Sequence, residues 1–181
     1  QCRKVQVIFA RTPVLAAARS DLNSRTYLLP GGVDTDLFDP ERVTEVPASM
    51  LALPRPRVGF VGTVDDRIDV GLLVHCARAL PAVSFVLLGP IKRHRVNVDA
   101  LRREPNVHLL PACPHQSIPA AVAALDIGLI PYRVNTYTQA LSPIKLYEYL
   151  AMGRPVVTTD LPYVRREAER IRIARNGDEF L

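Results

Sequence analysis

The residues best suited to chemistry lie in one stretch, Ser142-Pro143-Ile144-Lys145-Leu146-Tyr147-Glu148-Tyr149-Leu150-Ala151-Met152-Gly153. Serine followed by proline is the grammar of a helix start, with Ser142 expected as the N-cap and Pro143 at the first helical position. Gly153 falls where the helix should stop. The first turn of a helix leaves backbone N–H groups unpaired and carries a partial positive charge. The amides of Ile144 and Lys145 would therefore cradle a phosphate, and Lys145 adds a full charge. Glu148 lies three residues on, hence on the same face, where it would accept hydrogen bonds from ribose hydroxyls. An ordinary surface Lys/Glu pair has the same spacing, and the residues alone weigh the two readings evenly.

A second polar stretch, Gly62-Thr63-Val64-Asp65-Asp66-Arg67, follows an apolar run. Gly62 suits a place where backbone comes close to a phosphate or a helix. Arg67 suits a second phosphate contact and equally an exposed loop arginine. Gly59-x-x-Gly62 lacks the spacing of the dinucleotide fingerprint, and Leu88-Gly89-Pro90 stands where that fingerprint wants an acid, which argues against a bound dinucleotide. Cys2, Cys76 and Cys113 are far apart, and Cys113-x-His115 offers too few ligands, so neither a disulfide framework nor a metal is expected. Cys76 and Met152 read as core.

These stretches need elements to hold them. From Val58 onward, short apolar or β-branched runs alternate with amphipathic ones, the pattern of repeated βα units and a parallel sheet. The expected strands are Val58 to Gly62, Ser84 to Leu88, Val107 to Leu110, Asp126 to Ile130, Pro155 to Thr159 and Ile171 to Ala174. Asp69 is placed to cap a helix carrying Val70, Leu73, Val74, Ala77 and Leu80, with Pro81 stopping it. The hydroxyl of Ser117 is expected to cap another through Leu125. The fold class is therefore α/β, a Rossmann-like doubly wound sheet of six strands in the order 3-2-1-4-5-6. Its crevice would lie where the order reverses, between the loop after Gly62 and the loop from Pro131 to Leu141.

The 181 residues are 48% apolar and 23% charged, which is ordinary globular composition. The net charge of +5 calls for an anionic partner without naming it. Lys92-Arg93-His94-Arg95 has no aromatic interleaving, so nucleic acid is not expected. That loop, together with Arg165, Arg166, Arg170, Arg172 and Arg175, reads first as solvated surface and second as a peripheral contact with an anionic membrane. A reducing cytoplasm is the default location. Val5 to Phe9, Val14 to Arg19 and Thr26 to Leu29 read as strand, short helix and strand. We expect residues 1–40 to be the remnant of a preceding Rossmann domain and its junction. Residues 41–56 are expected to form a linker, and residues 57–181 a domain truncated in its C-terminal helix.

SPIKLYEYLAMGRPVV, from Ser142, resembles the donor-site signature of the retaining GT-B glycosyltransferases of family 4, the glycosyl transferases group 1. LLPGGVDTDLFDP, from Leu28, resembles the junction between their two Rossmann domains, and VGFVGTVDDRIDVGLL resembles the opening of their C-terminal donor-binding domain. FVLLGP and PNVHLLP extend the likeness over most of the chain from Thr26. The resemblance implies the C-terminal half of a GT-B fold. It implies a cytoplasmic enzyme, with peripheral membrane contact as a further expectation, that moves a hexosyl group with retention from a nucleoside-diphosphate sugar to a glycan or lipid-linked acceptor for bacterial surface polysaccharide or glycolipid. Glu148 matches the second glutamate of the Glu-x7-Glu motif, which contacts ribose, whereas Ala140 stands where the first belongs. Pro111, Ala112 and Cys113 match the nucleobase loop. The donor-binding set is then Gly62, Thr63, Arg67, Ser142, Pro143, Ile144, Lys145 and Glu148. Lys145 and Arg67 would stabilise the leaving diphosphate, with no cofactor or metal. The acceptor site belongs to the absent N-terminal domain, so this piece alone is expected to be inactive. Two other readings stay open, a GT-B-like nucleotide-sugar epimerase and a non-catalytic nucleotide-binding or interaction module.

Overall fold

The computed structural model describes residues 2–43 and 45–181. Its main body is a six-stranded, all-parallel sheet. The strands are β3 (Arg57–Val61), β4 (Ser84–Leu88), β5 (Val107–Leu110), β6 (Ile127–Ile130), β7 (Val156–Thr159) and β8 (Arg172–Ala174), in the spatial order β5-β4-β3-β6-β7-β8. This is the expected 3-2-1-4-5-6 arrangement, and it follows from the sequence in a direct way. Strands covered on both faces must be apolar throughout, and every residue of β3 and β4 is buried. Order reverses between β3 and β6, which leaves a crevice at their carboxyl ends.

The covering helices carry the expected grammar in most places. Asp69 accepts a hydrogen bond from the Leu72 N–H and caps α3 (Val70–Ala79), whose Leu73, Cys76 and Ala77 face the core. α4 (Asp99–Arg102) is a single turn before β5. Ser117 departs from expectation. It closes a 3-10 turn, His115–Ser117, that runs straight into α5 (Ile118–Ala123), so its backbone is already helical and its hydroxyl caps nothing. The loop expected from Pro131 to Leu141 contains one turn of helix, α6 (Thr136–Gln139). Asn135 and Thr138 cap it reciprocally.

The core is tied to the crevice through α7 (Ile144–Ala151). Tyr149 is fully buried, and its phenol accepts the Val61 N–H at 2.9 Å. Its ring lies so close over β6 that a methyl group on Gly128 would come within 2.4 Å of it. Helix α7 is thereby fixed against the ends of both strands that flank the order reversal.

Upstream, β1 (Ile8–Ala10) and β2 (Thr26–Leu28) form a separate parallel pair joined by α1 (Pro13–Ser20). The first strand is shorter than expected, beginning at Ile8 rather than Val5. Thr12 accepts the Leu15 N–H to cap α1 and donates its hydroxyl hydrogen to the Ala140 carbonyl, 3.1 Å away. Of the stretch 41–56, expected as a linker, Val43, Val46 and Leu53 pack against the main body, and a short helix α2 (Ala48–Leu51) sends the fully buried Met50 into the core. Arg57 holds this stretch in place by donating from its guanidinium to the Leu51 and Leu53 carbonyls. α8 (Gly177–Phe180), capped by Asn176, completes the described elements.

Candidate functional site

A cavity of about 420 Å³ opens at the order reversal. The carboxyl end of β3 supplies Gly62 and Thr63, the turn after β4 supplies Gly89 and Pro90, and the loop after β5 supplies Ala112 and Cys113. Ser142, Pro143, Ile144 and Lys145, at the start of α7, form the facing wall with Arg67 and Tyr132 nearby. Gly89 makes the floor compact. Its φ is +146°, and a side chain there would meet the Gly62 carbonyl oxygen at 2.1 Å, so only glycine lets the two loops touch.

The start of α7 differs from expectation by one residue. Pro143 has φ −69° and ψ 106°, outside the helical region, so Pro143 rather than Ser142 is the N-cap and the helix begins at Ile144. Proline carries no side-chain acceptor, and the helix end has no side-chain cap. Ser142, displaced outside the helix, keeps a buried hydroxyl oxygen with no hydrogen-bond partner among the described residues. The correction leaves the first N–H groups of α7 more available than a capped end would.

Two cations at the cavity wall are held by carboxylates. Lys145 Nζ lies 2.7 Å from Glu148 Oε2, and both side chains are largely buried. Glu148 sits behind Lys145 rather than on the cavity wall, and its Oε1 makes no hydrogen bond among the described residues. Arg67 is gripped bidentately by Asp65, Nε to Oδ1 at 2.8 Å and Nη2 to Oδ2 at 2.7 Å. Its guanidinium also lies 5.5 Å from the centre of the Tyr132 ring. Burial opposes charge on Asp65, but hydrogen bonds and charge from Arg67, with Arg95 behind, outweigh it and hold the carboxyl below its usual pKa. The same hydrogen bonding, donated by Arg67 to the Asp65 carboxylate, raises Arg67 further. Burial pushes the Tyr132 phenol upward, so it stays neutral, edge-on to Phe60 with ring centres 5.9 Å apart.

Of the residues expected from sequence, Gly62, Thr63, Arg67, Ala112, Cys113, Ser142, Pro143, Ile144 and Lys145 meet at this cavity. Pro111 is exposed and not on its wall, and Glu148 stands one layer back. Sequence reasoning missed Tyr132 and Arg11. Tyr132 sat in a stretch read only as loop, although it directly follows the strand end Ile130-Pro131. Arg11 is remote in sequence from every other lining residue, and its one signal was its place immediately after a strand.

Residues 55–180 match the family model described as Glycosyl transferases group 1. The chain belongs to that family. TuaH of Bacillus subtilis (strain 168), assigned as a teichuronic acid biosynthesis glycosyltransferase, is 30% identical over 141 residues, covering 76% of this chain and 35% of that protein. Among solved structures, Anabaena Alr3699/HepE in complex with UDP and glucose superposes with a TM-score of 0.67 at 16% identity, covering 97% of this chain and 51% of that one. An α,α-trehalose-phosphate synthase (UDP-forming) from Burkholderia xenovorans, in complex with glucose-6-phosphate, gives 0.70 at 13% identity, covering 98% and 51%. At such identities the structural likeness establishes the fold, the Rossmann-like half of a GT-B architecture. This group 1 chain thus spans about half the length of those solved chains and about a third of TuaH.

The basic residues of this group 1 chain do not form one uniform patch. Arg165 is paired bidentately with Asp160, Arg170 with Glu167, and Arg95 with Asp66, while Arg166 lies over the Tyr163 ring. Among the described residues no helix is long and apolar enough to cross a membrane.

Proposed function

We propose that residues 57–181 form the donor-binding half of a glycosyltransferase, with residues 1–40 contributed by its acceptor half and residues 41–56 joining the two. The observation that carries this reading is the convergence of an uncapped helix start, Lys145 and the glycine-floored end of β3 in a single cavity at the order reversal. A nucleoside diphosphate fits that chemistry. Its phosphate oxygens take the Ile144 and Lys145 amides and the Lys145 ammonium, and the unpartnered Ser142 hydroxyl stands beside them. Glu148 steadies Lys145 from behind the wall, while Ala112 and Cys113 border the base.

Transfer requires that the diphosphate leave as an anion. Lys145, Arg67 and the start of α7 are fixed before it forms, so they stabilise developing charge without reorganising. Arg67 needs little ordering because Asp65 and Tyr132 already hold it. The whole enzyme then passes a hexosyl group to a glycan or lipid-linked acceptor for a bacterial surface polymer or glycolipid, and the teichuronic acid assignment of TuaH supports this substrate class. Retention of configuration, inactivity of the isolated chain, a cytoplasmic setting and peripheral membrane contact are part of the same proposal, with the family resemblance as their support.

Calorimetric titration of the chain with UDP, GDP and ADP tests the reading, with UDP the first choice because of its presence in the Anabaena complex. Binding of one diphosphate, weakened tenfold or more by Lys145→Ala, is the expected result, in line with about 1.5–3 kcal/mol for a charge-assisted contact. Binding that survives Lys145→Ala unchanged would move the site elsewhere.

A further inference from the structure

Arg11 lines the same cavity from the N-terminal β1–α1–β2 unit. It directly follows β1 and precedes Thr12, whose buried side chain caps α1 and is hydrogen-bonded to the Ala140 carbonyl, just ahead of the α7 start. Its position is therefore fixed by the chain on both sides. Gly31 gives its head group room, because a methyl there would come within 2.3 Å of Arg11 Nη2. The exposed guanidinium passes close to the Gly31 backbone, and Arg11 lines the cavity together with Lys145 and Arg67.

Charge decides what it is for. Lys145 and Arg67 each have a carboxylate partner, whereas Arg11 has no ion pair among the described residues. Of the three cations on the cavity wall, it is the one that no carboxylate balances among the described residues. A nucleoside-diphosphate ester brings about two negative charges, more than the helix start and two already-paired cations neutralise. We infer that Arg11 is a third cationic contact for the donor's diphosphate, supplied by the N-terminal β1–α1–β2 unit. This rests on the donor-site reading above and goes beyond it, because it makes donor binding join the two halves of the molecule.

The test compares UDP with UMP on the 181-residue chain and on Arg11→Ala and Arg11→Lys, with thermal melting as a check on folding. Arg11→Ala should lower UDP affinity about tenfold and UMP affinity less than about twofold, and Arg11→Lys should restore part of the loss. The UDP difference should shrink as salt is raised. Equal losses for UDP and UMP would mean that Arg11 acts through the fold, and would overturn the assignment. So would UDP affinity unchanged in Arg11→Ala while Lys145→Ala loses it, an outcome that leaves the donor site standing. Failure of the unsubstituted chain to bind UDP, GDP or ADP would instead overturn the donor site, and Arg11's role with it.

Discussion

The six-stranded body and the β1–α1–β2 unit are built from similar apolar residues and end in opposite states. Phe60, Leu73, Ile130, Leu146 and Tyr149 are almost wholly buried, and one core cluster reaches from Phe38 to Phe180. In the smaller unit Phe9 is 61% and Tyr27 54% exposed, and α1 buries no residue. Two strands and one helix offer too few layers to enclose a core. The difference teaches that stability resides in the sheet, while the small unit contributes position: it carries Arg11 to the cavity and is fastened there by Thr12.

The largest disturbance should come from Gly128→Val. The new side chain would overlap the Tyr149 ring, which can yield only by giving up its place over β6 and its bond to Val61. Overpacking together with a lost buried hydrogen bond should cost roughly 4 kcal/mol, a large share of a domain's stability. Circular dichroism should find the variant mostly unfolded or melting far lower, and a native melt would mean that Tyr149 has another home.

Next in size is a matched pair across the two regions. Met50→Ala should cost about 2–5 kcal/mol, because its fully buried side chain leaves a cavity. Phe9→Ser, at an exposed ring, should change stability by less than about 0.5 kcal/mol. Denaturant titration reads both. A small loss at Met50 would favour residues 41–56 as a detachable linker, and a large loss at Phe9 would show that the small unit has a core of its own.

The contrast also explains what the sequence made legible. β4 runs from Ser84 to Leu88 as expected, because a strand buried on both faces is a nearly unbroken apolar run bounded by turns, and the half-buried edge strand β5 also keeps its expected bounds, Val107 to Leu110. β3 begins one residue earlier than its apolar run because Arg57 satisfies its guanidinium on the Leu51 and Leu53 carbonyls, a tertiary arrangement invisible in a local window. Ser-Pro announced the start of α7 correctly in type and wrongly by one residue, since Pro143 takes an extended ψ. The cavity's walls on β3 and α7 were readable from motif and order. Arg11 and Tyr132 were not, because convergence from three distant segments leaves no spacing to read.

Tyr149→Phe should have a smaller effect than either core change. It keeps the ring on Gly128 and removes the hydroxyl that accepts the Val61 N–H at 2.9 Å. The stranded amide should cost about 1–3 kcal/mol. The loss should also loosen α7 against β3, so UDP affinity should fall along with the melting temperature. A stability loss with unaltered affinity would separate the core from the site that it is argued to hold.

The three free cysteines sharpen the comparison with the least disturbance, since each lies in a different environment. Cys2 is partly exposed beside the small unit, Cys76 is buried in the sheet's core, and Cys113 is partly exposed on the cavity wall. Burial pushes the Cys76 thiol up to about 11, so near pH 8 its thiolate is about one part in a thousand and lies out of reach of reagent. A maleimide should label Cys2 and Cys113 readily, and Cys76 only after unfolding. Adding UDP should slow labelling at Cys113 several-fold and leave Cys2 unchanged, as peptide mapping by mass spectrometry would show. Protection of both would mean that the ligand compacts the whole chain. Protection of neither would place the base away from the loop after β5, and the diphosphate site at α7 would then be judged by Lys145 alone.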